Sequence, residues 1–215
     1  PAAQAGAKQI VGDFKDELAI LKLAEQSDII TYEIESGNTD VLSKLKAKIE
    51  PSPSTLGIIQ DKFSQKIFLS DNELPVPQFY EIISLDDLRE KIKELGLPVL
   101  LKVRRDAYDG RGNFKITLPD EIEKAYQHFD GKSLMVEKFV NFKMEVSVIA
   151  ARNTKGDIVA YPLVENIHEN NILKMTIVPA RVSDDVIKDA GKIARKTMEV
   201  LKGAGVFGIE MFIDQ

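Results

Sequence analysis

The sequence predicts a mixed protein, an α/β unit followed by a larger α+β unit, on three observations. Hydrophobic periodicity switches repeatedly between the helical and the extended repeat. A proline–serine stretch, "EPSPS" at residues 50–54, punctuates the chain. Most of the segments beyond it are short and β-rich, with few helical patterns between them. We therefore expect one domain over residues 1–54 and a second over 55–215. The 215 residues, 44% of them hydrophobic, suffice for a sizeable core.

Each element has its own signal. Leu18, Ile20, Leu21, Leu23 and Ala24 recur at helical spacing. "DIITYEI" is short and rich in β-branched residues, the pattern of a buried strand, and "TDVLSKLKAKI" predicts a second amphipathic helix. "STLGIIQDKFSQKIFLSD" predicts a helix capped by Ser54, and "ELPVPQFYEI" an extended segment, because its prolines cannot sit inside a helix. "SLDDLREKIKELG" predicts a helix opened by a capping box of Ser84 and Asp87 and stopped by Gly96. Strands follow at 98–104 and 113–118, then a helix opened by "LPDEIEKAYQHF", then strands near 133–138 and 143–152. "NTKGD" turns the chain into a strand at 157–162. A long amphipathic helix over 183–201 leads to the glycine-flanked strand "GVFGIEMFI".

Composition excludes several classes. Charged residues make up 29% with both signs interspersed, and the net charge is -5, so no single-sign field recruits nucleic acid or an anionic membrane. With no cysteine there is no disulfide, thiolate metal site or thiol nucleophile, which fits a reducing cytoplasm. No apolar stretch approaches the roughly 20 residues of a membrane span, and residues 1–10 lack a basic start with an apolar core. The chain opens without methionine and stops on a strand just ending, so we expect both ends of a longer protein to lie outside it.

The stretch "LLKVRRDAYDGRGNFKI" carries the strongest chemistry. Gly110 and Gly112 allow positive φ and close backbone approach, and consecutive N–H groups in such a turn form an anion-binding concavity. Lys102 alternates onto the strand face opposite Leu101 and Val103, shared with Arg104, and needs a partner there. A plain two-glycine hairpin with a snorkelling lysine accounts for the same residues. In "LMVEKFV", Glu137 and Lys138 close an apolar strand whose outward backbone groups could read the edge of adenine, with Glu145 able to accept from ribose hydroxyls; solvated charges at a strand end are the alternative. Glu210 in "FGIEMFI" lies between apolar neighbours, as a hard-cation ligand or half of a buried ion pair. His168 sits among Glu165, Asn166, Asn170 and Asn171, the surroundings of a site, whereas His128 beside Tyr126 and Phe129 reads as surface or core. Lys62 alone reads as a solvated helical charge. Glu33 and Glu35 alternate onto one face at a predicted strand end, where open α/β sheets bind ligands.

In order, "PSPSTLGIIQDKFSQK", "VLLKVRRDAYDGRGN", "MVEKFVNFKMEVSVI", "YPLVENIHENNIL", "VPARV" and "GVFGIEMF" resemble the N5-carboxyaminoimidazole ribonucleotide synthetase family of ATP-grasp enzymes, over nearly the whole chain. The resemblance implies an ATP-grasp fold over 55–215, incomplete at its C-terminal end, preceded over 1–54 by the remnant of a Rossmann-like, biotin-carboxylase-type domain. It implies ATP-dependent carboxylation of 5-aminoimidazole ribonucleotide by bicarbonate, with ATP and Mg2+, in a cytoplasmic homodimer that binds neither nucleic acid nor membrane.

Residue by residue, it places Lys62 and Lys102 on nucleotide phosphates. Tyr108, Asp109, Gly110, Arg111 and Gly112 form the closing loop; Tyr108, Asp109 and Arg111 are the catalytic candidates, with Tyr108 and Arg111 on the substrate side. Glu137, Lys138, Phe139 and Val140 form the adenine hinge, Glu145 meets the ribose, His168 the nucleotide and Glu210 magnesium. Glu33 faces the ribonucleotide, and Glu35 less so. Lys62 stands where many relatives have arginine, and Phe139 replaces a frequent tryptophan. The family's first strand, its second magnesium carboxylate and its small C-terminal domain have no counterpart here, so we expect these residues alone to bind nucleotide weakly and not to turn over. Another ATP-grasp ligase, such as a glycinamide ribonucleotide or biotin carboxylase relative, and a non-catalytic nucleotide-binding module are the competing readings.

Overall fold

The computed structural model describes residues 3–107 and 111–214. Its first part is a small α/β layer. Helix α1 (Glu17–Ala24) starts where the Asp16 carboxylate accepts from the Leu18 and Ala19 N–H groups. Strand β1 (Ile29–Ile30) pairs in parallel with β2 (Lys48–Ile49), and α2 (Thr39–Lys44), capped by Asn38, crosses between them. Strand β1 and helix α2 are both shorter than expected. The chain leaves the strand conformation after Ile30, so "TYEI" runs into a turn, and "KI" at the end of the anticipated helix is β2 instead. The second strand needs a partner for its backbone groups, and β1 supplies it.

The stretch 53–71 forms two helices. α3 (Pro53–Gln60) is capped by Ser52 rather than Ser54, and α4 (Lys62–Asp71) starts anew after Asp61, whose φ of -112° and ψ of 108° leave the helical region. Asp61 ends one helix and caps the next, its Oδ1 accepting from the Phe63 and Ser64 N–H groups. α3 adds Leu56 to the cluster of Ile20, Ile30, Val41 and Leu42.

A four-stranded antiparallel sheet follows, in the order β3 (Phe79–Ile82), β6 (Leu134–Lys138), β4 (Val99–Val103), β5 (Asn113–Ile116). Helices α5 (Leu85–Leu95) and α6 (Ile122–His128) cover one face, where Leu88, Val99, Leu101, Ile116, Ala125 and Val136 are fully buried. Burying a side chain of Val or Leu size contributes about 1.5–3 kcal/mol each, so this cluster is the sheet's principal anchor. α5 begins as expected: Ser84 Oγ accepts from Asp87 N–H, and the Asp87 carboxylate reaches back to the Ile83 N–H. Gly96, at φ 68°, ends it.

The second sheet runs β10 (Ile172–Ile177), β9 (Val164–Glu169), β7 (Met144–Arg152), β11 (Gly205–Ile213), with β8 (Ile158–Ala160) also on β7. Strands β9 and β10 form a hairpin unmarked by periodicity. Its turn is Asn170–Asn171, at φ 52° and 63°, the two-residue geometry that suits the twist of flanking strands. Helix α7 (Asp184–Val200) covers one face, and its small Ala190 and Ala194 lie close on Val146, Val148 and Ala150. Residues 202–205 are tied to the first part of the chain. Thr55 Oγ1 donates to Lys202 O at 2.7 Å and accepts from Lys202 N, and at Gly203 a Cβ would fall 2.2 Å from Ser52 N. This junction sets where β11 enters the sheet. Among the described residues no helix is long and apolar enough to cross a membrane.

Candidate functional site

Charged side chains gather on the sheet faces that α5, α6 and α7 leave uncovered. On the first sheet, alternation turns Lys102 away from the buried Leu101 and Val103, as expected, and its partner is Glu137. Glu137 is 6% exposed, so it is not a solvated strand-end charge. Lys102 Nζ lies 2.6 Å from its Oε1 and Lys66 Nζ 2.7 Å from its Oε2. Burial pushes the Glu137 carboxyl up, but the two ammonium groups outweigh it and hold the carboxyl below its ordinary range. Lys66 is pushed down by burial, because one carboxylate shared between two lysines compensates each only in part.

Lys62 is half-buried rather than solvated. Its Nζ donates to Ala107 O at 3.1 Å, at the base of the glycine loop. Burial lowers its pKa against the attraction of Glu35. Asp61, 2% exposed, organises the same corner: Oδ1 accepts from Arg104 Nε at 3.0 Å, and Oδ2 from Arg104 Nη2 at 2.7 Å and Arg105 Nε at 3.0 Å. Burial would raise its pKa, and the hydrogen bonds from Arg104, the Ser64 N–H and Arg105 lower it. The Lys62 N–H donates to Arg104 O, so helix α4 and the end of β4 are fastened together where the loop begins.

Tyr108, Asp109 and Gly110 lie outside the described residues. Arg111 is exposed, and Gly112 returns the chain to β5, its carbonyl accepting from the Val103 N–H. Gly112 is required by close approach: a Cβ there would fall 2.2 Å from that of Ala107, so any side chain would force the two ends of the loop apart. In the strand-end motif, the Lys138 and Phe139 N–H groups donate to Gln78 O and Pro98 O, and Lys138 Nζ reaches Gly96 O at 2.8 Å. The Phe139 ring carries the Lys115 ammonium 3.6 Å from its centroid. Val140, half-buried, opens the crossing to the second sheet, where Phe142 stacks on Phe212 at 4.3 Å.

On the second sheet, Glu145, Ser147, Asn166, His168 and Glu210 share the face that α7 does not cover, set by the pairings Glu145↔Asn166 and Ser147↔Glu210. His168 Nδ1 lies 3.3 Å from Glu145 Oε2, yet it is buried without a well-directed hydrogen bond. Burial raises the Glu145 pKa, His168 opposes this, and the charge of Glu210 adds to it. Glu210 is exposed, not half of a buried ion pair. Asn166 is buried and donates to Ser147 Oγ at 2.9 Å. Among the described residues no three carboxylate or imidazole groups converge to hold a metal by protein ligands alone. Glu33 is exposed in the turn after β1, not on a strand face; Glu35, in the same turn, is the one whose charge acts on Lys62. His128 is exposed, edge-on to Phe114 and Phe129.

The signals that sequence reasoning passed over are Asp61, Arg105 and Lys66. Lys66 was findable as the residue one helical turn from Lys62 on the same face. Asp61 was not, because its partners come from a distant strand.

Comparison with known proteins matches two family domains to the chain. Residues 67–215 match the ATP-grasp domain, and residues 1–60 the ribonucleotide synthetase pre-ATP-grasp domain. The chain is 38% identical, over 99% of its length, to phosphoribosylaminoimidazole carboxylase of Candida albicans, of which it covers 40%. It is 36% identical, over its full length, to N5-carboxyaminoimidazole ribonucleotide synthase of Bacillus subtilis, covering 57%. A solved structure of N5-carboxyaminoimidazole synthase from Aspergillus clavatus, in complex with ADP and 5-aminoimidazole ribonucleotide, superposes with a TM-score of 0.93 at 36% identity, over 100% of this chain and 57% of the other. The chain thus spans about half the length of the relatives it matches.

Proposed function

The chain belongs to the ATP-grasp family, and from that premise we propose that it carries the nucleotide site of an enzyme that carboxylates 5-aminoimidazole ribonucleotide with bicarbonate at the expense of ATP. The observation that carries this reading is the likeness, along the whole of this chain, to a synthase that holds ADP and that ribonucleotide.

The site's chemistry supports it. Lys102 and Lys62 present two ammonium groups at the start of the glycine loop, one from a rigid strand and one from a helix. They suit the phosphates of ATP, with Glu145 and His168 on the ribose side and the strand end 137–140 against adenine. The resemblance to the family assigns catalysis to Tyr108, Asp109 and Arg111, and substrate contact to Tyr108 and Arg111. Magnesium fits the uncovered face of the second sheet. Glu210 is an exposed hard oxygen donor near Glu145, and this ion commonly completes its shell with water and phosphate. Bound there, it would supply charge neutralisation on the transferring phosphate.

Bicarbonate is a poor electrophile because hydroxide leaves badly. Transfer of the γ-phosphoryl group to it gives carboxyphosphate, which can release carbon dioxide beside the exocyclic amine of the ribonucleotide. The protein's part is to neutralise charge, position the reactants and exclude water from a labile intermediate. The test is ADP release by the natural polypeptide that carries these residues, with ATP, magnesium and bicarbonate. Release that depends on 5-aminoimidazole ribonucleotide is the expected result. Nucleotide binding with no stimulation by the ribonucleotide would overturn the substrate assignment.

A further inference from the structure

Three lysines share one corner of the first sheet, and the arrangement assigns them different tasks. Lys62 and Lys66 are one turn apart on α4 and project from the same face of the helix. Lys62 points its ammonium at the loop through Ala107 O, whereas Lys66 points its own at the buried Oε2 of Glu137. Lys102 takes the other oxygen. The reading of Lys102 as a phosphate ligand then meets a difficulty. A lysine held 2.6 Å from a buried carboxylate must loosen that contact to turn its donors to phosphate. A carboxylate that is 6% exposed cannot be left without a counterion at small cost.

We propose that Lys66 is a positioning residue that neutralises Glu137 when Lys102 turns to the nucleotide, so that Lys102 can exchange one anion for another. Three observations support it. Each lysine occupies a different carboxylate oxygen, so one can leave without displacing the other. The Lys66 side chain is only 17% exposed, so it serves the carboxylate rather than solvent. Lys66 comes from a helix fastened to the loop base through the Lys62 N–H and Arg104 O, so it stays in place when Lys102 moves. Glu137 in turn sets the resting direction of Lys102. The inference rests on the nucleotide-site reading above and adds a residue that reading does not use.

The experiment is a calorimetric titration of the natural polypeptide with ATP and magnesium, comparing wild type, Lys66→Met, Lys66→Arg, Glu137→Gln and the double variant Lys66→Met with Glu137→Gln. Lys66→Met should weaken binding by about 10-fold or more, as expected for uncovering one member of a buried charge pair. Lys66→Arg should stay within about threefold of wild type, since it keeps the charge. The double variant should bind within about threefold of Glu137→Gln alone, because with no carboxylate to neutralise Lys66 has nothing left to do. Run in two buffers of different ionisation enthalpy, Lys66→Met alone should take up a proton on binding, at Glu137, when Lys102 leaves.

A purely structural lysine would give additive losses and no proton uptake, and that result overturns the proposal. So does unchanged affinity in Lys66→Met. Circular dichroism identifies a Lys66→Met protein that fails to fold. In that case the double variant decides: binding much weaker than in Glu137→Gln alone overturns the inference. Failure of the wild type itself to bind ATP removes the nucleotide-site reading and this inference with it, and is thereby distinguished from failure of Lys66 alone.

Discussion

Around the first sheet, Glu137 on β6 and Asp61 at the start of α4 are buried and each is held between two cationic side chains, while on the second sheet Glu145 and Glu210 share a face with one histidine and Glu210 is open to solvent. The contrast follows from what each face rests against. Helix α4 packs over the first sheet and removes its charges from water, so each buried carboxylate there needs cations close by. Among the described residues no helix covers the charged face of the second sheet, and Glu210 there stays open to solvent. One region is therefore held by ion pairs among its own side chains.

The largest expected effect breaks the closed side. Asp61→Ala removes a helix cap and leaves Arg104 without its bidentate partner, and should cost about 3–5 kcal/mol. At this chain length that lowers Tm by roughly 10 °C in a thermal melt, and a Tm within about 2 °C of wild type would mean the corner is not held by Asp61. Glu210→Ala tests the open side. Magnesium-dependent ADP release should fall about 100-fold or more, equivalent to about 2.7 kcal/mol, while the melt stays unchanged; near-normal turnover would take Glu210 out of the metal site.

Acid separates the two regions more gently. Asp61 and Glu137 have folded pKa values below their ordinary ones. Their stabilisation is therefore complete above the unfolded carboxyl values near about 4 and is lost as pH falls through the lower folded values. Tm measured from pH 7 downward should hold until about pH 4 and then drop. Glu137→Gln should make that drop shallower, and a slope equal to wild type would deny Glu137 its part. The smallest effect concerns the hairpin that carries His168. Asn171→Val forces a β-branched residue to positive φ and should cost about 1–2 kcal/mol, read as a modest decrease in Tm. No change would show that the turn does not hold β9 and β10 in register.

Much of the fold was legible because its signals are local. The capping of α5 by Ser84, its stop at Gly96, the burial pattern of β4 and the long helix α7 all follow from spacing within one segment. What was misread turned on partners outside the segment. The stretch 53–71 has the periodicity of one helix, and it breaks at Asp61 because two arginines from the end of β4 and the first N–H groups of α4 share that carboxylate. "TYEI" has strand composition, and among the described residues no strand pairs with it beyond Ile30. The hairpin around Asn170 and Asn171 was passed over because its chemistry drew attention first, although two adjacent asparagines are themselves a turn signal.

By itself the sequence determined the types of the longer elements, such as α5, β4 and α7, the side of β4 on which Lys102 stands, the glycines at the loop and the ordered motifs that match the ATP-grasp family. Only the tertiary structure decided which cation meets which carboxylate: Lys66 and Lys102 on Glu137, Arg104 and Arg105 on Asp61, Glu35 rather than Glu33 acting on Lys62. The physical reason is range. Periodicity reports the face of one helix or strand, whereas a buried charge must be satisfied by whatever chain packs against that face, and Asp61 finds Arg104 43 residues away.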